Sequence, residues 1–201
     1  MLVKKSNSSG FSYIDLMCAI VILMVGILAM VSALMANLVR SYESEKRVVA
    51  KQMALSTIES IISAKEIERP GVVDGWLSIR NVISPAPVGE PNGIFLPGWN
   101  PVREEQGWDG VAGTIADACA DTGPCVVTGR PTNASAIVNG FERQITITDV
   151  DDPERPAPNP IMRRRVDVVI RFPVGRATGA VGQTFGTRSS STIVTDYATE
   201  R

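Results

Sequence analysis

An uncharged apolar run near the N terminus constrains this chain more than any other feature. Between Leu16 and Val39, 24 consecutive positions carry no charged side chain, and only Ser32 and Asn37 are clearly polar. A membrane-spanning helix needs about 20 apolar residues, so the run is long enough to cross a bilayer. The rest of the 201-residue chain is enough for one domain of ordinary size.

The charges around the run predict its orientation. Lys4 and Lys5 precede it, whereas charges of both signs follow it from Arg40 to Arg47. The leading lysines favour a cytoplasmic N terminus and an external C-terminal bulk. The run is too long for the core of an ordinary cleaved signal peptide. An uncleaved signal anchor accounts for all of this except the step from Gly10 to Phe11 and the acid at Asp15.

Asp15 lies at the start of the run, where a bilayer normally excludes a carboxylate. An acid at such a place is energetically expensive and is a functional hypothesis by default. It could reach back to headgroup water, or it could pair with a cation. The nearest conceivable cation is a new amino terminus at residue 11. In a straight helix that amine reaches a neighbouring subunit's Asp15 more easily than its own.

The segment Gly10-Phe11-Ser12-Tyr13-Ile14-Asp15-Leu16 resembles the class III signal of type IV prepilins and type II secretion pseudopilins. In that family a prepilin peptidase cuts after the glycine and methylates the new N-terminal phenylalanine. The resemblance therefore implies cleavage between Gly10 and Phe11, N-methylation of Phe11, and an assembly contact at Asp15, which stands where the family has Glu. Residues 22–29 also look like the minor pilin V group and its pseudopilin I counterpart, and the resemblance covers residues 10–67.

This resemblance implies a non-enzymatic minor pilin that takes part in type IV pilus assembly. Its expected partners are the prepilin peptidase, other minor and major pilins, and the inner membrane, with the C-terminal domain in the periplasm before transfer to the pilus. Two alternatives stay open: a type II secretion pseudopilin, and a membrane-anchored extracytoplasmic binding protein or enzyme that keeps its leader. No cofactor is implied.

The chain divides into five segments by composition. Residues 1–10 form the leader, residues 11–39 the membrane and assembly helix, and residues 40–69 its amphipathic continuation. In the continuation, Val48, Leu55, Ile58 and Ile62 recur at helical spacing, which predicts the stripe that packs on the rest of the domain. A continuous helix is predicted from about Ser12 to Ile67, ended by Pro70-Gly71.

The last two segments predict a turn-rich region and a sheet. Residues 70–135 are rich in Gly and Pro and contain all three tryptophans, which are expected to pin this region onto the core more than to bind a partner. Within residues 136–201, two stretches alternate with a period of two: Phe141–Thr148 and Arg165–Phe172. A third strand is predicted from Ser191 to Tyr197. Together these patterns predict an α+β fold in which the long helix covers an antiparallel sheet. The resemblance to type IV pilins implies the same layout.

Composition excludes some functions. The chain has no histidine, which rules out His-based triads and His metal sites. Its net charge of −1 gives no reason to expect nucleic acid as a partner. Cys119 and Cys125 could close a small disulfide loop in an oxidising compartment; free thiols and metal binding are the other readings.

Two charged clusters carry weaker hypotheses. The acids between Asp149 and Glu154 could bind calcium, but they lack EF-hand spacing and are interpreted as solvated turn residues. The arginines Arg163, Arg164 and Arg165 alternate faces on a strand, so they are expected to be solvated or to protect a sheet edge, not to form one patch.

Overall fold

The computed structural model describes residues 12–66, 75–86, 88, 92–107, 109–118, 135–155, 159–174 and 184–196. The chain divides into two compact units, Met1–Ser44 and Glu45–Arg201. One helix, α1, runs from Tyr13 to Glu66. The predicted continuous helix is therefore confirmed. No Gly or Pro falls between Ile27 and Glu66 to interrupt its hydrogen-bond ladder.

A four-stranded antiparallel sheet forms the other layer of the fold. Its strands are β1 (Asn100–Arg103), β2 (Ile137–Asp149), β3 (Arg163–Val174) and β4 (Thr184–Thr195), arranged in the order β1-β2-β3-β4. Each strand pairs with the next along the chain. The long helix and this sheet make up an α+β fold consistent with a pilin-like architecture.

The period-two alternation in β2 and β3 predicts the buried face of the sheet correctly. On β3, Val166, Val168, Ile170 and Phe172 are at most 1% exposed. On β2, Phe141 and Ile145 lie in the same core, and the Phe141 and Phe172 rings are 6.1 Å apart between centroids. A buried row of alternate side chains is what a sheet covered on one face requires.

The predicted packing stripe of the helix was wrong at three of its four positions. Val48, Leu55 and Ile62 are 55%, 44% and 43% exposed, whereas Ile58 is buried. The buried face of α1 consists mainly of small residues, and its members are Ala50, Ala54, Thr57, Ile58, Ile61 and Ala64. At 100° per residue, the row of Val48, Leu55 and Ile62 lies on nearly the opposite side of the helix from the alanines. The short alanine side chains leave room for the larger side chains of the sheet.

The prediction for the third strand was wrong at its start, and one strand was not predicted. β4 begins at Thr184, seven residues before the predicted Ser191, and ends at Thr195. Apart from Phe185, the first half of β4 has no large apolar side chain, because β4 lies at the sheet edge, where few are needed. β1 was missed because it comprises only four residues inside the Gly/Pro-rich segment.

The Gly/Pro-rich segment contributes directly to the core. It contains a short helix α2 (Gly75–Ser78), a 3-10 helix (Ile115–Ala118) and two isolated bridges that join Phe95 to Asn81 and to Thr114. Ile79 and Phe95 are completely buried. Trp76 is 4% exposed, which confirms its predicted role of fixing this segment to the core. Trp99 is 37% exposed, and Trp108 lies outside the described residues.

Candidate functional site

The start of α1 places Asp15 in the first helical turn. Asp15 Oδ2 accepts a hydrogen bond from the backbone N–H of Ser12 at 3.3 Å, and the Asp15 N–H donates to the Ser12 carbonyl at 2.9 Å. A carboxylate three residues after the cap position satisfies one of the free amides at a helix N-terminus and interacts favourably with the helix dipole. Asp15 therefore caps its own helix. The cleavage and methylation residues Gly10 and Phe11 lie outside the described residues.

The apolar part of α1 is fully exposed within its own unit. Its most apolar 18-residue window has a mean hydropathy of 2.8, and none of that window is buried. Of the helices that the structure describes, α1 is the one that is long enough and apolar enough to cross a membrane. Cys18, a free thiol, is exposed on this stretch. Such a surface requires a lipid or protein environment, because exposed apolar area of this extent is unfavourable in water.

A buried ion pair, absent from the sequence-based predictions, lies between the 3-10 helix and β2. Arg143 Nη2 donates to Asp117 Oδ2 at 2.6 Å, and the two residues are 6% and 7% exposed. Arg143 Nη1 also donates to Thr57 Oγ1 of α1 at 3.3 Å. Asp117 Oδ2 accepts a second bond, at 2.7 Å, from the backbone N–H of Gly113. The pair thus ties the loop, the sheet and the helix together.

Burial dominates the electrostatics of this pair. Desolvation raises the pKa of Asp117 above its ordinary value, despite the opposing effects of Arg143 and the Gly113 amide. Desolvation likewise lowers the pKa of Arg143, against the attraction of Asp117. Asp117 Oδ1 is buried, and none of the described residues forms a hydrogen bond with it. Removing one partner of a buried ion pair strongly destabilises a protein, because the other charge stays buried without a partner. The intact pair nevertheless adds little stability compared with two apolar residues of similar size.

A cavity of about 140 Å³ adjoins the pair. Its lining includes Asn100, Arg103, Thr114, Asp117 and Arg143. Arg103 Nη1 donates to the Ser135 carbonyl at 2.6 Å, and Thr114 Oγ1 donates to Asp109 Oδ2 at the same distance. Most of the polar groups around the cavity form hydrogen bonds or ion pairs that hold the loop in place. We therefore interpret this region as one that stabilises the fold.

A second arginine is buried where the sequence predicted solvent exposure. Arg164 is 1% exposed, so the prediction that all three consecutive arginines are solvated or protect an edge was wrong for this one. Its guanidinium donates to the carbonyls of Trp76 and Ile79 and, at 2.9 Å, to Asp149 Oδ1. It also lies 4.2 Å from the centroid of the Trp76 ring, close enough for a cation–π interaction. Desolvation lowers the pKa of Arg164.

The neighbouring arginines behave differently. Arg165 is exposed and pairs with Asp167 at 3.0 Å, and Arg163 pairs with Asp152 at 3.3 Å. The three side chains therefore form no common patch, as the strand alternation predicted. Asp149 and Asp152 are taken up by these arginines. Within the described ranges, no group of three potential metal-ligating side chains was found.

One signal in the sequence could have identified both buried arginines. Arg143 and Arg164 each occupy a position in phase with the buried rows of their strands, next to Ile145 and Val166. A charge in such a row must find a buried partner. The predicted disulfide residues, Cys119 and Cys125, lie outside the described residues.

Comparison with known proteins gives no relative for this chain. No family model matches it, and neither a curated protein nor a solved structure matches it.

Proposed function

We propose that this chain is a minor subunit of a type IV pilus, made as a precursor with a short cytoplasmic leader. The prepilin peptidase would cut it between Gly10 and Phe11 and methylate the Phe11 amine. The observation that carries the proposal is the helix start. The segment that resembles the peptidase signal leads straight into α1, with Asp15 as the acid of its first turn and an exposed apolar surface after it.

Asp15 can serve two purposes at once in this proposal. Its Oδ2 accepts from the Ser12 amide, which fixes the helix start. Its Oδ1 has no hydrogen-bond partner among the described residues. That oxygen is suited to receive the methylated amine of a neighbouring subunit, a charge-assisted contact that would set the register between helices.

The outward row of α1 supports packing against further helices. Val48, Leu55 and Ile62 repeat at seven-residue intervals and are 43–55% exposed. A row of large apolar side chains at this spacing is the pattern by which one helix packs along another. If α1 served only as a membrane anchor, exposed apolar side chains after its membrane-spanning part would have no function. The bundle of helices in a filament would bury it.

Intact-mass measurement of the protein from native membranes tests the proposal. We expect the mass of residues 11–201 plus one methyl group in cells with an active prepilin peptidase, and the full-length mass in cells without it. An unprocessed chain in the peptidase-positive cells would contradict the proposal and favour a membrane-anchored binding protein. Loss of protein secretion, with pili intact, in a strain lacking this chain would assign it to a type II secretion system.

Substitutions at Asp15 separate its two roles. Asp15→Asn keeps an oxygen that can accept from the Ser12 amide but removes the charge. Asp15→Glu keeps the charge and matches the residue usual in the family. We expect both variants to be cleaved, Asp15→Asn to be depleted from sheared filaments, and Asp15→Glu to be retained. Equal incorporation of Asp15→Asn and the wild type would show that the carboxylate only caps its helix.

A further inference from the structure

The outer edge of β4 carries a regular set of backbone groups that pair with no other strand in the described part of the chain. β4 pairs with β3 over twelve consecutive positions without a register shift. The Asp196 N–H donates to the Met162 carbonyl, so the antiparallel alternation directs the even-numbered residues of β4 toward β3. The odd-numbered residues therefore direct their N–H and C=O groups away from the sheet; they are Phe185, Thr187, Ser189, Ser191, Ile193 and Thr195.

The two edges of the sheet are protected very differently. β1 is four residues long, contains Pro101, and has a register irregularity between Pro101 and Arg103. These are the features by which proteins prevent a sheet edge from pairing with another chain. β4 has none of them: it is twelve residues long, regular, and free of proline and lysine. Among the described residues, no strand pairs with its outer edge.

We propose that the β4 edge binds an extended segment of a different polypeptide, which adds to the sheet as an antiparallel fifth strand. Backbone pairing would supply the general affinity, and side chains at alternate positions would supply the choice of partner. This proposal does not rest on the proposed pilus role, because it uses only the sheet.

The side chains of β4 indicate what the partner strand contains. Phe185 and Ile193 are 43% and 59% exposed on the face of the sheet away from α1, so apolar partners opposite them would bury both. Arg188 lies on the other face, is exposed, and has no ion pair among the described residues. A carboxylate directly opposite it would complement its charge. Along an antiparallel partner strand, an apolar residue opposite Ile193 is followed five residues later by an acidic residue opposite Arg188. Three residues after that comes an apolar residue opposite Phe185.

This charge argues against a second copy of the chain as the occupant. β4 contains no Asp or Glu, so β4 of another copy cannot neutralise Arg188 in any register. β1 contains no acid either, and its proline lacks the N–H that a regular ladder needs. Neither edge strand that the structure describes in a second copy can supply this carboxylate, so the proposed occupant is an acidic strand of another protein.

A designed peptide tests the proposal on the full-length protein in detergent micelles. The probe is fluorescein-labelled Thr-Thr-Val-Thr-Thr-Thr-Thr-Glu-Thr-Thr-Val, and its binding is followed by fluorescence anisotropy. We expect saturable binding to the wild type and about tenfold weaker binding to Ser189→Pro, which removes an outward N–H without touching the β3–β4 ladder. Thr187→Pro serves as a second blocking variant, and thermal melting verifies that each is folded.

A charge reversal provides the matched control. Arg188→Glu should bind the probe about tenfold more weakly, and a probe with Lys in place of Glu should recover binding to this variant. Binding to folded Ser189→Pro and Thr187→Pro as tight as to the wild type would overturn the proposal, as would the absence of binding by either probe. Self-association of the wild type that is lost in Ser189→Pro would overturn it in favour of a second copy.

Discussion

Arg143 donates to Asp117 over 2.6 Å and thereby joins the middle of β2 to a 3-10 helix that lies 26 residues earlier in the chain. The same guanidinium bonds Thr57 on α1. One buried cation thus holds together three parts of the fold that the sequence separates. The stability of this domain should therefore depend on both side chains being present.

Removing one partner of this pair should be far more harmful than removing both. We expect Asp117→Ala to lower the free energy of unfolding by about 3–5 kcal/mol, because it leaves Arg143 buried without its carboxylate. The double variant Asp117→Leu/Arg143→Met should lose clearly less. Urea unfolding of the full chain in detergent, followed by tryptophan fluorescence, measures both. Strictly additive losses would show that the two charges act independently.

The pair should also give a pH dependence of defined sign. Because the pKa of Asp117 is raised in the folded protein, its contribution to stability is complete below its unfolded pKa, near 3.8, and is lost as the pH rises through the folded value. Asn cannot titrate. The stability of the wild type relative to Asp117→Asn should therefore fall as the pH rises above 3.8. Urea titrations on either side of that pH test this, and a relative stability that rises instead would contradict it.

Arg164 should be sensitive even to a conservative change. Lysine cannot reproduce the fork that bonds the Trp76 and Ile79 carbonyls and Asp149 together. We expect Arg164→Lys to destabilise the protein by about 2–4 kcal/mol and to alter Trp76 fluorescence. The neighbouring Arg165→Lys is the control: its side chain is 56% exposed, and the change should stay within about 0.5 kcal/mol. Similar losses for the two variants would argue against a special role for Arg164.

Two glycines with the same backbone conformation should differ in their tolerance of a side chain. Gly107 and Gly110 have φ angles of 71° and 67°, so alanine is strained at both positions. A Cβ at Gly107 would also clash with the Ala116 carbonyl oxygen, whereas a Cβ at Gly110 would have no atom of the described residues within 4 Å. We expect Gly110→Ala to cost about 1–2 kcal/mol and Gly107→Ala clearly more. Equal melting temperatures for the two variants would contradict the close approach of Gly107 to the Ala116 carbonyl.

The two faces of α1 should respond oppositely to changes in side-chain size. Ala54 is 1% exposed, so Ala54→Leu should overpack the core and destabilise the domain by about 1–3 kcal/mol. Leu55 is 44% exposed, and Leu55→Ala should change the stability of the isolated chain by no more than about 0.5 kcal/mol. If α1 packs in a filament, Leu55→Ala should instead reduce incorporation into pili. A large loss of stability for Leu55→Ala alone would instead support the original prediction that Leu55 packs against the rest of the domain.

The sequence predicts the layers of this fold better than the details of their contact. Alternation in β2 and β3 identifies their buried faces because polar or charged residues separate most of the residues at the buried positions, with Val169 as the exception in β3. The buried face of α1 was missed because alanine and threonine carry little hydrophobic signal beside Val48, Leu55 and Ile62. The ion pair of Arg143 with Asp117 was missed because pairing across 26 residues depends on the path of a loop that has no periodicity.

The alanine face of α1 affects which substitutions this protein can accept during evolution. The residues that hold the domain together and the large apolar residues that lie outside it occupy opposite sides of one helix. A substitution at Val48, Leu55 or Ile62 can therefore alter what the helix associates with while the core beneath the alanines stays as it is. Recognition and folding can vary as separate traits, although a single stretch of helix encodes both.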